Sequence, residues 1–331
     1  MKVLRLHAPD DLRLHDEPVP IPGEDEQLLR VKAVGICGSD LHWFSEAAIG
    51  DAQLERPLVL GHEFAAVTEG GEHVAVDPAI PCGECEFCQS GHPNLCEQIV
   101  FAGHGVQDGA LREWMAWPRK RLFPLPDSLT SADGAMLEPL GVAIHAVDLG
   151  KLRAGMTVSV FGCGPIGLLI VQLARLSGAS NIIATDVLPH RMEAAKSFGA
   201  HQAYLAEAGR ELSQMRAATK GRGVDVAFEV AGEQGAVDTA FAAVVPGGKV
   251  ILAGIPAGDQ TSFSASVARR KGLTIRMVRR MKHTYPRAIE LVSKGLVDVR
   301  SLVTHRFSLE NAAEAFAVAQ RREGLKIIIE V

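Results

Sequence analysis

The 331-residue sequence has no excess of positive charge, and its first residues do not form an apolar run. It contains 34 Lys and Arg against 39 Asp and Glu, so its net charge is −5. The lack of a basic stripe argues against nucleic-acid binding, which depends on neutralising phosphates. The first residues, MKVLRLHAPDD, do not have the apolar stretch and cleavage site of a signal peptide. We therefore expect a cytoplasmic protein with no nucleic-acid partner.

Uninterrupted apolar runs of membrane-spanning length are also missing. The nearest candidate, residues 158–176, is broken by three glycines and a proline and carries Gln172 and Arg175. This composition favours a buried strand, turn and helix over a membrane span. We therefore predict no membrane partner.

Cysteine is scarce except in one loop. Four of the six cysteines lie within fifteen residues at the spacing C-x2-C-x2-C-x7-C, namely Cys82, Cys85, Cys88 and Cys96. Four thiolates from one loop can close a tetrahedral zinc site, which is typical of structural zinc. A ferredoxin cluster is an alternative, but the last gap is too long and Glu97 follows where proline is expected. Two disulfides are the other alternative, and a reducing compartment disfavours them.

The pattern of apolar runs changes near residue 150. Before it, short runs such as 28–34 and 74–76 are separated by Pro and Gly clusters, which indicates a β-rich unit. After it, predicted strands at 157–161, 181–185, 224–230 and 249–253 alternate with predicted helices at 166–176, 189–198 and 235–244. This alternation predicts an α/β fold with a parallel sheet. From about residue 277 we predict helices at 286–293 and 310–319 and strands at 303–307 and 326–331.

A glycine-rich turn follows the first of these strands. Its residues are Gly162, Cys163, Gly164, Pro165, Ile166 and Gly167, which match G-x-G-x-x-G between a strand and a helix. Gly162 allows a tight turn, Gly164 lets backbone approach a pyrophosphate, and Gly167 lets helix and strand pack closely. Asp186 lies nineteen residues further on, where it can accept hydrogen bonds from an adenosine ribose, so NAD is favoured over NADP. Arg191 is near enough to soften that preference, and an S-adenosylmethionine site is the main alternative.

A second group of metal-ligand types lies earlier in the chain. Cys37 stands in GICGSDLH at residues 35–42, and His62 and Glu63 stand in LGHEF at residues 60–64. Thiolate, imidazole and carboxylate are the ligands of a catalytic zinc that keeps one position open. Taken alone, a buried filler cysteine and a satisfied His-Glu turn are the alternatives. On residue type alone, Ser39 fits a turn or cap residue and His42 a surface histidine.

Taken together, these motifs resemble the zinc-containing medium-chain dehydrogenases/reductases, in the same order and over essentially the whole chain. The segments MLEPL at 136–140, RMKHTYP at 280–286 and LVTHRF at 302–307 are similar to the sorbitol (polyol) dehydrogenase branch. In the ordinary alcohol dehydrogenases a cysteine ligand stands where Glu138 falls.

The resemblance implies a GroES-like, β-rich catalytic domain and a Rossmann domain with a doubly wound parallel sheet. Residues 1–145 and 277–331 would form the first and residues 146–276 the second, which binds NAD. Cys37, His62 and Glu63 would hold a catalytic zinc, with Glu138 as a direct ligand or acting through a water. The four clustered cysteines would hold a structural zinc, which gives two zinc ions per chain.

The resemblance also implies roles near the substrate. Ser39 would accept the substrate proton, His42 would pass it to solvent through the nicotinamide ribose, and Arg280 would read substrate polarity. Trp43 and Met281 replace two tyrosines that the family usually has, and both changes remove a hydroxyl that could bind a polyol. We therefore do not transfer a sorbitol specificity.

The resulting hypothesis is a zinc-dependent oxidoreductase that transfers a hydride between NAD and a polyol or other secondary alcohol, giving a ketose or ketone. Sugar-acid (idonate-type) and L-threonine dehydrogenases are alternatives of the same layout. A noncatalytic NAD- or redox-sensing zinc protein is the alternative of another class. The resemblance further implies a homodimer or homotetramer built through a sheet edge, for which we expect residues 249–253.

Overall fold

The computed structural model describes residues 1–207 and 209–331, which divide into two compact units. The first unit combines Met1–Gly141 with Lys282–Val331, and the second is Val142–Met281. In the described part of the chain, no helix is both long and apolar enough to cross a membrane.

The first part of the chain is rich in short strands. The strands are β1 (Lys2–Ala8), β2 (Asp11–Asp16), β3 (Glu26–Gly35), β4 (Ala48–Ile49), β5 (Ala52–Gln53), β6 (Glu63–Thr68), β7 (His73–Val76), β8 (Ala79–Ile80), β9 (Val100–Phe101), β10 (Trp114–Pro118) and β11 (Leu122–Pro124). The helices are α1 (Gly38–Glu46), α2 (Glu86–Gln89), α3 (Ser131–Ala135) and α4 (Leu137–Gly150). In β3, Leu29, Val31 and Ala33 are buried while Arg30 is exposed, so the period of two directs one face into the core.

The second unit alternates strands with helices. Its elements are β12 (Thr157–Phe161), α5 (Pro165–Leu176), β13 (Asn181–Asp186), α6 (Pro189–Ser197), β14 (Gln202–Leu205), α7 (Arg210–Ala218), β15 (Val224–Glu229), α8 (Gln234–Ala243), β16 (Val244–Leu252), α9 (Ala265–Lys271) and β17 (Thr274–Met277). All described strand pairs are parallel, in the order β14-β13-β12-β15-β16-β17. The predicted α/β class and doubly wound parallel sheet are confirmed. The strand order reverses between β12 and β15, where such sheets bind ligands.

One sequence expectation about this sheet is wrong. Residues 249–253 were expected at a sheet edge, but residues 249–252 belong to β16, which lies between β15 and β17. Val250 and Ile251 are fully buried, as in a strand covered on both faces, so their apolar run indicates an interior strand. The edge strand on this side of the sheet is β17, whose Met277 is 64% exposed.

The chain then returns to the first unit through α10 (Tyr285–Ser293), β18 (Val303–Ser308), α11 (Ala312–Gln320) and β19 (Lys326–Glu330). The large sheet has the order β11-β7-β6-β3-β19-β18, and β10 also pairs with β3. β3 is antiparallel to both β6 and β19, so Gly35 lies opposite Glu63 on one side and Ile328 on the other. This register brings the end of β3 beside the start of β6 and close to the start of β19.

Candidate active site and metal centres

Three side chains that can bind a metal lie close together where β3 ends and β6 begins. Cys37 follows β3 and caps the start of α1, His62 precedes β6, and Glu63 is the first residue of β6. The Cys37 sulfur, one His62 ring nitrogen and one Glu63 carboxylate oxygen lie within 4.8 Å of one another. His62 and Glu63 are buried and Cys37 is half-buried. The three donors thus form a compact S, N, O set inside the first unit.

Asp40 is a buried carboxylate that contacts the backbone at Cys37 and Gly61 and the ring of His62. Its carboxylate is 1% exposed and accepts the backbone N–H of Cys37 at 2.9 Å and of Gly61 at 3.2 Å. It also lies 3.4 Å from His62 Nδ1, which leaves Nε2 as the ring nitrogen available to a metal. Burial raises the pKa of Asp40, but His62 and the two N–H donors outweigh it and lower the pKa overall. Sequence reasoning assigned Asp40 no role, although it stands inside the GICGSDLH motif.

Lys326, the first residue of β19, is a buried cation at the same site. It is 2% exposed, forms an ion pair with Glu63 and donates to the Ile36 carbonyl at 2.8 Å. Burial lowers the pKa of Lys326, but the charges of Glu63 and Cys37 outweigh it and raise the pKa overall. A Cβ at Gly35 would lie 2.2 Å from the Glu63 carboxylate, so only glycine leaves room for this pair. Sequence reasoning missed Lys326; the available signal was a single lysine opening the apolar strand KIIIE.

Glu138 lies in the first turn of α4 and is 4% exposed. Burial raises its pKa to about 7; His62 and Lys326 oppose this increase and Glu63 reinforces it. Glu138 therefore interacts electrostatically with His62 and Glu63, two of the three donors. It is not one of the three side chains whose ligand atoms cluster within 4.8 Å.

The donor set fits a zinc ion. One thiolate, one imidazole and one carboxylate are ligands that zinc accepts, and three protein ligands leave one position for a substrate oxygen. The two anionic ligands would balance the charge of a divalent ion. The imidazole has a carboxylate behind it, as metal-binding histidines usually do.

The other residues predicted near the substrate are placed differently. Ser39 is half-buried in the first turn of α1, and His42 Nδ1 lies 3.2 Å from a Glu46 carboxylate oxygen. Trp43 is 1% exposed and packs edge-on against His104, with 5.6 Å between ring centroids. Trp43 therefore serves as core packing in this structure. Arg280 lies at the end of the second unit with a left-handed backbone (φ 52°).

The cysteine quartet converges as its spacing indicates. The sulfurs of Cys82, Cys85, Cys88 and Cys96 lie within 4.8 Å of one another, and none is in a disulfide. Cys82 Sγ is 3.6 Å from Cys96 Sγ and 3.9 Å from Cys88 Sγ. A tetrahedral ion with Zn–S bonds of about 2.3 Å needs sulfurs about 3.8 Å apart. The backbone N–H groups of Glu84 and Cys85 lower the pKa of Cys82 to about 7, which favours the thiolate. The loop fits a closed, structural zinc.

The glycine-rich turn connects β12 to α5. Gly162 has φ 95°, Gly164 caps the helix, and Pro165 and Ile166 begin it. A Cβ at Gly167 would lie 1.9 Å from the Gly162 carbonyl oxygen, so only glycine lets the helix start this close to the strand. The helix N-terminus leaves backbone N–H groups for an anion such as a pyrophosphate.

Asp186 and Arg191 are both brought to this turn. Asp186 ends β13, is 6% exposed, and accepts the backbone N–H of Cys163 at 2.7 Å and of Leu188 at 2.9 Å. Arg191 Nη1 lies 3.7 Å from the position of a Cβ on Gly164. Asp186 therefore ties the glycine turn to the next strand, a role that its spacing did not indicate.

Two family models match the sequence. The model described as an alcohol dehydrogenase GroES-like domain matches residues 23–127, and the model described as a zinc-binding dehydrogenase matches residues 165–294. These matches confirm the expected resemblance and the GroES-like part of the fold class.

Curated relatives match over nearly the whole chain. The sequence is 37% identical over 341 residues to a sorbitol dehydrogenase from Bacillus subtilis (strain 168), covering 99% of this chain and 97% of that protein. It is 35% identical over 334 residues to a probable D-xylulose reductase A from Emericella nidulans, covering 96% and 93%. A solved structure described as a short chain alcohol dehydrogenase from Escherichia coli CFT073, complexed with NADH, aligns with TM-score 0.91 at 28% identity, covering 100% and 99% of the two chains.

Proposed function

This chain belongs to the zinc-binding dehydrogenase family of oxidoreductases, and we propose that it transfers a hydride between NAD and a polyol or other secondary alcohol, giving a ketose or ketone. The convergence of Cys37, His62 and Glu63 within 4.8 Å carries the proposal, because it provides an open metal site. The names of the curated relatives favour a polyol and ketose pair over a sugar acid or threonine.

In this proposal Cys37, His62 and Glu63 bind the catalytic zinc, and Glu138 binds it directly or through a water. Cys82, Cys85, Cys88 and Cys96 bind the structural zinc. When bound at the open site, zinc supplies Lewis acidity, which lowers the pKa of a hydroxyl beside it.

The chain's own residues then orient groups and move the proton. Asp40 fixes the orientation of His62, and Lys326 fixes that of Glu63. Ser39 would accept the substrate hydroxyl proton while it passes on its own hydroxyl proton, and His42 would take a proton from this path and release it to solvent. We assign Arg280 to substrate polarity. We assign Trp43 to the shape of the substrate site, to which it would contribute from the core because it is buried.

For the cofactor, we propose that residues 146–276 form the NAD-binding domain and that residues 1–145 and 277–331 form the catalytic domain. Gly162, Gly164, Pro165, Ile166 and Gly167 would face the pyrophosphate, and Asp186 would bind the adenosine ribose. The approach of Arg191 to the Gly164 position supports a phosphate contact for its guanidinium.

We further propose a homodimer or homotetramer in the cytoplasm. The outer edge of β17 supports assembly through the sheet, since Met277 is exposed and no strand in the described part of the chain pairs with that edge.

Zinc content and turnover test the proposal together. The wild-type protein should contain two zinc ions per chain and should reduce NAD with members of a polyol panel, followed by NADH absorbance. Cys37→Ser should keep one zinc, lose turnover and still bind NADH. Cys163→Ala, which removes a thiol outside both clusters, should keep two zinc ions. A wild-type protein with one zinc and no turnover on any alcohol would support the noncatalytic alternative.

A further inference from the structure

Glu229 is a buried carboxylate to which the proposed mechanism assigns no role. It is the last residue of β15 and is 2% exposed. Its Oε1 accepts the backbone N–H of Ala231 and that of Gly232, both at 2.8 Å. Burial raises the pKa of Glu229, and the N–H donors of Gly232 and Ala231 oppose the increase. Burying a carboxylate costs free energy unless hydrogen bonds offset the cost, and here the two N–H donors of the following loop do so.

The position of Glu229 in the sheet supplies one. In β12 and β15, the two strands on either side of the reversal, Phe161 pairs with Glu229 at their carboxyl ends. A dinucleotide binds in the crevice outside this point of a doubly wound sheet. Glu229 therefore lies under the middle of the predicted cofactor site.

The loop that Glu229 shapes is pressed against the loop after β16. The Glu229 carbonyl accepts the N–H of Ala253 at 2.8 Å and of Gly254 at 3.1 Å. A Cβ at Gly254 would lie 2.1 Å from the Gly232 nitrogen and 2.8 Å from Glu229 Oε2. No side chain fits between these loops, and the Glu229 carboxylate lies beside their contact while it holds the N–H groups of Ala231 and Gly232.

The same loop is pressed against the glycine turn on its other side. Val230 N–H donates to the Phe161 carbonyl at 2.9 Å, and a Cβ at Gly162 would lie 2.9 Å from the Ala231 nitrogen. Three crevice loops are thus in backbone contact, and the middle one takes its shape from Glu229.

We propose that Glu229 is a positioning residue for the nicotinamide half of the dinucleotide. Each half of a doubly wound sheet binds one mononucleotide, and Asp186 on β13 belongs to the adenosine half. The loops after β15 and β16 lie on the other half of the sheet. A change in the distance between these loops should therefore weaken binding of the nicotinamide half and leave the contacts to adenosine intact. The inference rests on the proposed use of NAD.

Paired titrations with NADH, by fluorescence, and ADP, by calorimetry, test this role. Glu229→Asp shortens the side chain by one methylene and should weaken NADH binding about tenfold, since it loses hydrogen bonds to the loop, while ADP binding changes less than about twofold. Glu229→Leu should weaken NADH binding further. Glu229→Gln keeps an acceptor oxygen and should restore NADH binding to within about threefold of wild type. Glu193→Asp, at a 65% exposed carboxylate on α6, is the matched control.

The results separate the two proposals. If the wild type binds both ligands and Glu229→Asp binds NADH normally, the positioning role is wrong and the use of NAD stands. Equal loss of NADH and ADP binding would also overturn it, because that indicates general damage to the unit. If the wild type binds neither ligand, the proposed function fails with it. Should Glu229→Leu not fold, the Asp and Gln variants still decide the question.

Discussion

The two units prepare their sites by different physical means. The first unit gathers ionisable side chains, with Asp40 and Lys326 both at most 2% exposed beside the predicted zinc ligands Cys37, His62 and Glu63. The second unit offers mainly backbone N–H groups, and its glycines keep side chains away from them. The first site therefore depends on the pairing of buried charges, where losing one partner leaves another uncompensated. The second depends on shape, where an added atom does the damage.

The largest expected effect comes from breaking a charge pair in the first unit. Lys326→Met should lower the free energy of unfolding of the zinc-free protein by about 3–5 kcal/mol, because Glu63 is left buried without its partner. Urea denaturation measures this loss. The loss should shrink when zinc is added, since the ion can compensate Glu63. Lys294→Met, at a 61% exposed lysine paired with Glu290, should change stability by less than about 0.5 kcal/mol. Equal stability of the two variants would contradict the account of the first unit.

The matching experiment in the second unit adds one methyl group. Gly167→Ala should cost about 2 kcal/mol or more, because its Cβ would meet a backbone oxygen that cannot rotate away. NADH affinity should fall, while zinc content stays at two ions per chain. Gly38→Ala, where a Cβ meets nothing within 4 Å, is the control. Loss of zinc in Gly167→Ala would show that the two sites are not prepared independently.

A smaller effect should appear at a second charge pair of the first unit. Asp133 is 2% exposed and accepts hydrogen bonds from Arg300 Nη2 at 2.8 Å and the Thr130 N–H at 2.8 Å. Burial raises the pKa of Asp133, but Arg300 and Thr130 outweigh it and lower the pKa overall. Asp133→Asn should therefore lower the free energy of unfolding by about 1–2 kcal/mol at neutral pH. The expected loss is small for a buried carboxylate because Arg300 is 60% exposed and solvent screens its charge.

The pH dependence of that cost has a definite sign. A carboxylate with a lowered pKa in the folded state stabilises the protein above its unfolded-state pKa and loses this contribution as pH falls through the folded-state pKa. The difference in the free energy of unfolding between wild type and Asp133→Asn should be constant above about pH 5. Below about pH 5 this difference should become smaller. Glu290→Gln, at an exposed pair, provides the reference. A difference that widens in acid would show that the pair does not stabilise the fold.

The smallest expected effect concerns cofactor choice. Asp186→Ser should raise the ratio of kcat/KM for NADP to that for NAD by about fivefold, because a negative charge near the 2′-phosphate is removed. Glu193→Ser, on the following helix, should leave the ratio unchanged. An unchanged ratio in Asp186→Ser as well would contradict the ribose contact.

The sequence predicted elements best where burial gave them a pattern. β12, β13 and β15 stand out as apolar runs bounded by turn residues, and their positions match the predicted strands. β14 and β17 were missed, because edge strands are short and partly exposed and so carry no apolar run. Helices α7 and α9 were also missed, because both are mostly polar and so show no apolar pattern.

The candidate site shows a second limit. The cysteine quartet and the glycine turn are contiguous motifs, so their residue types and spacing could be interpreted directly. Lys326 lies 290 residues from Ile36, whose carbonyl it contacts, and only the pairing of β19 with β3 brings them together. Asp40 has the same character, because it accepts the backbone N–H of Gly61, 21 residues further along the chain.

The anchoring of Asp186 has a consequence for how the protein meets its cofactor. Two main-chain donors hold this carboxylate before any nucleotide arrives, so little side-chain freedom is left to lose on binding. We therefore expect discrimination between the two nicotinamide dinucleotides to be present already in the resting enzyme. It should operate at first encounter and require no closing motion.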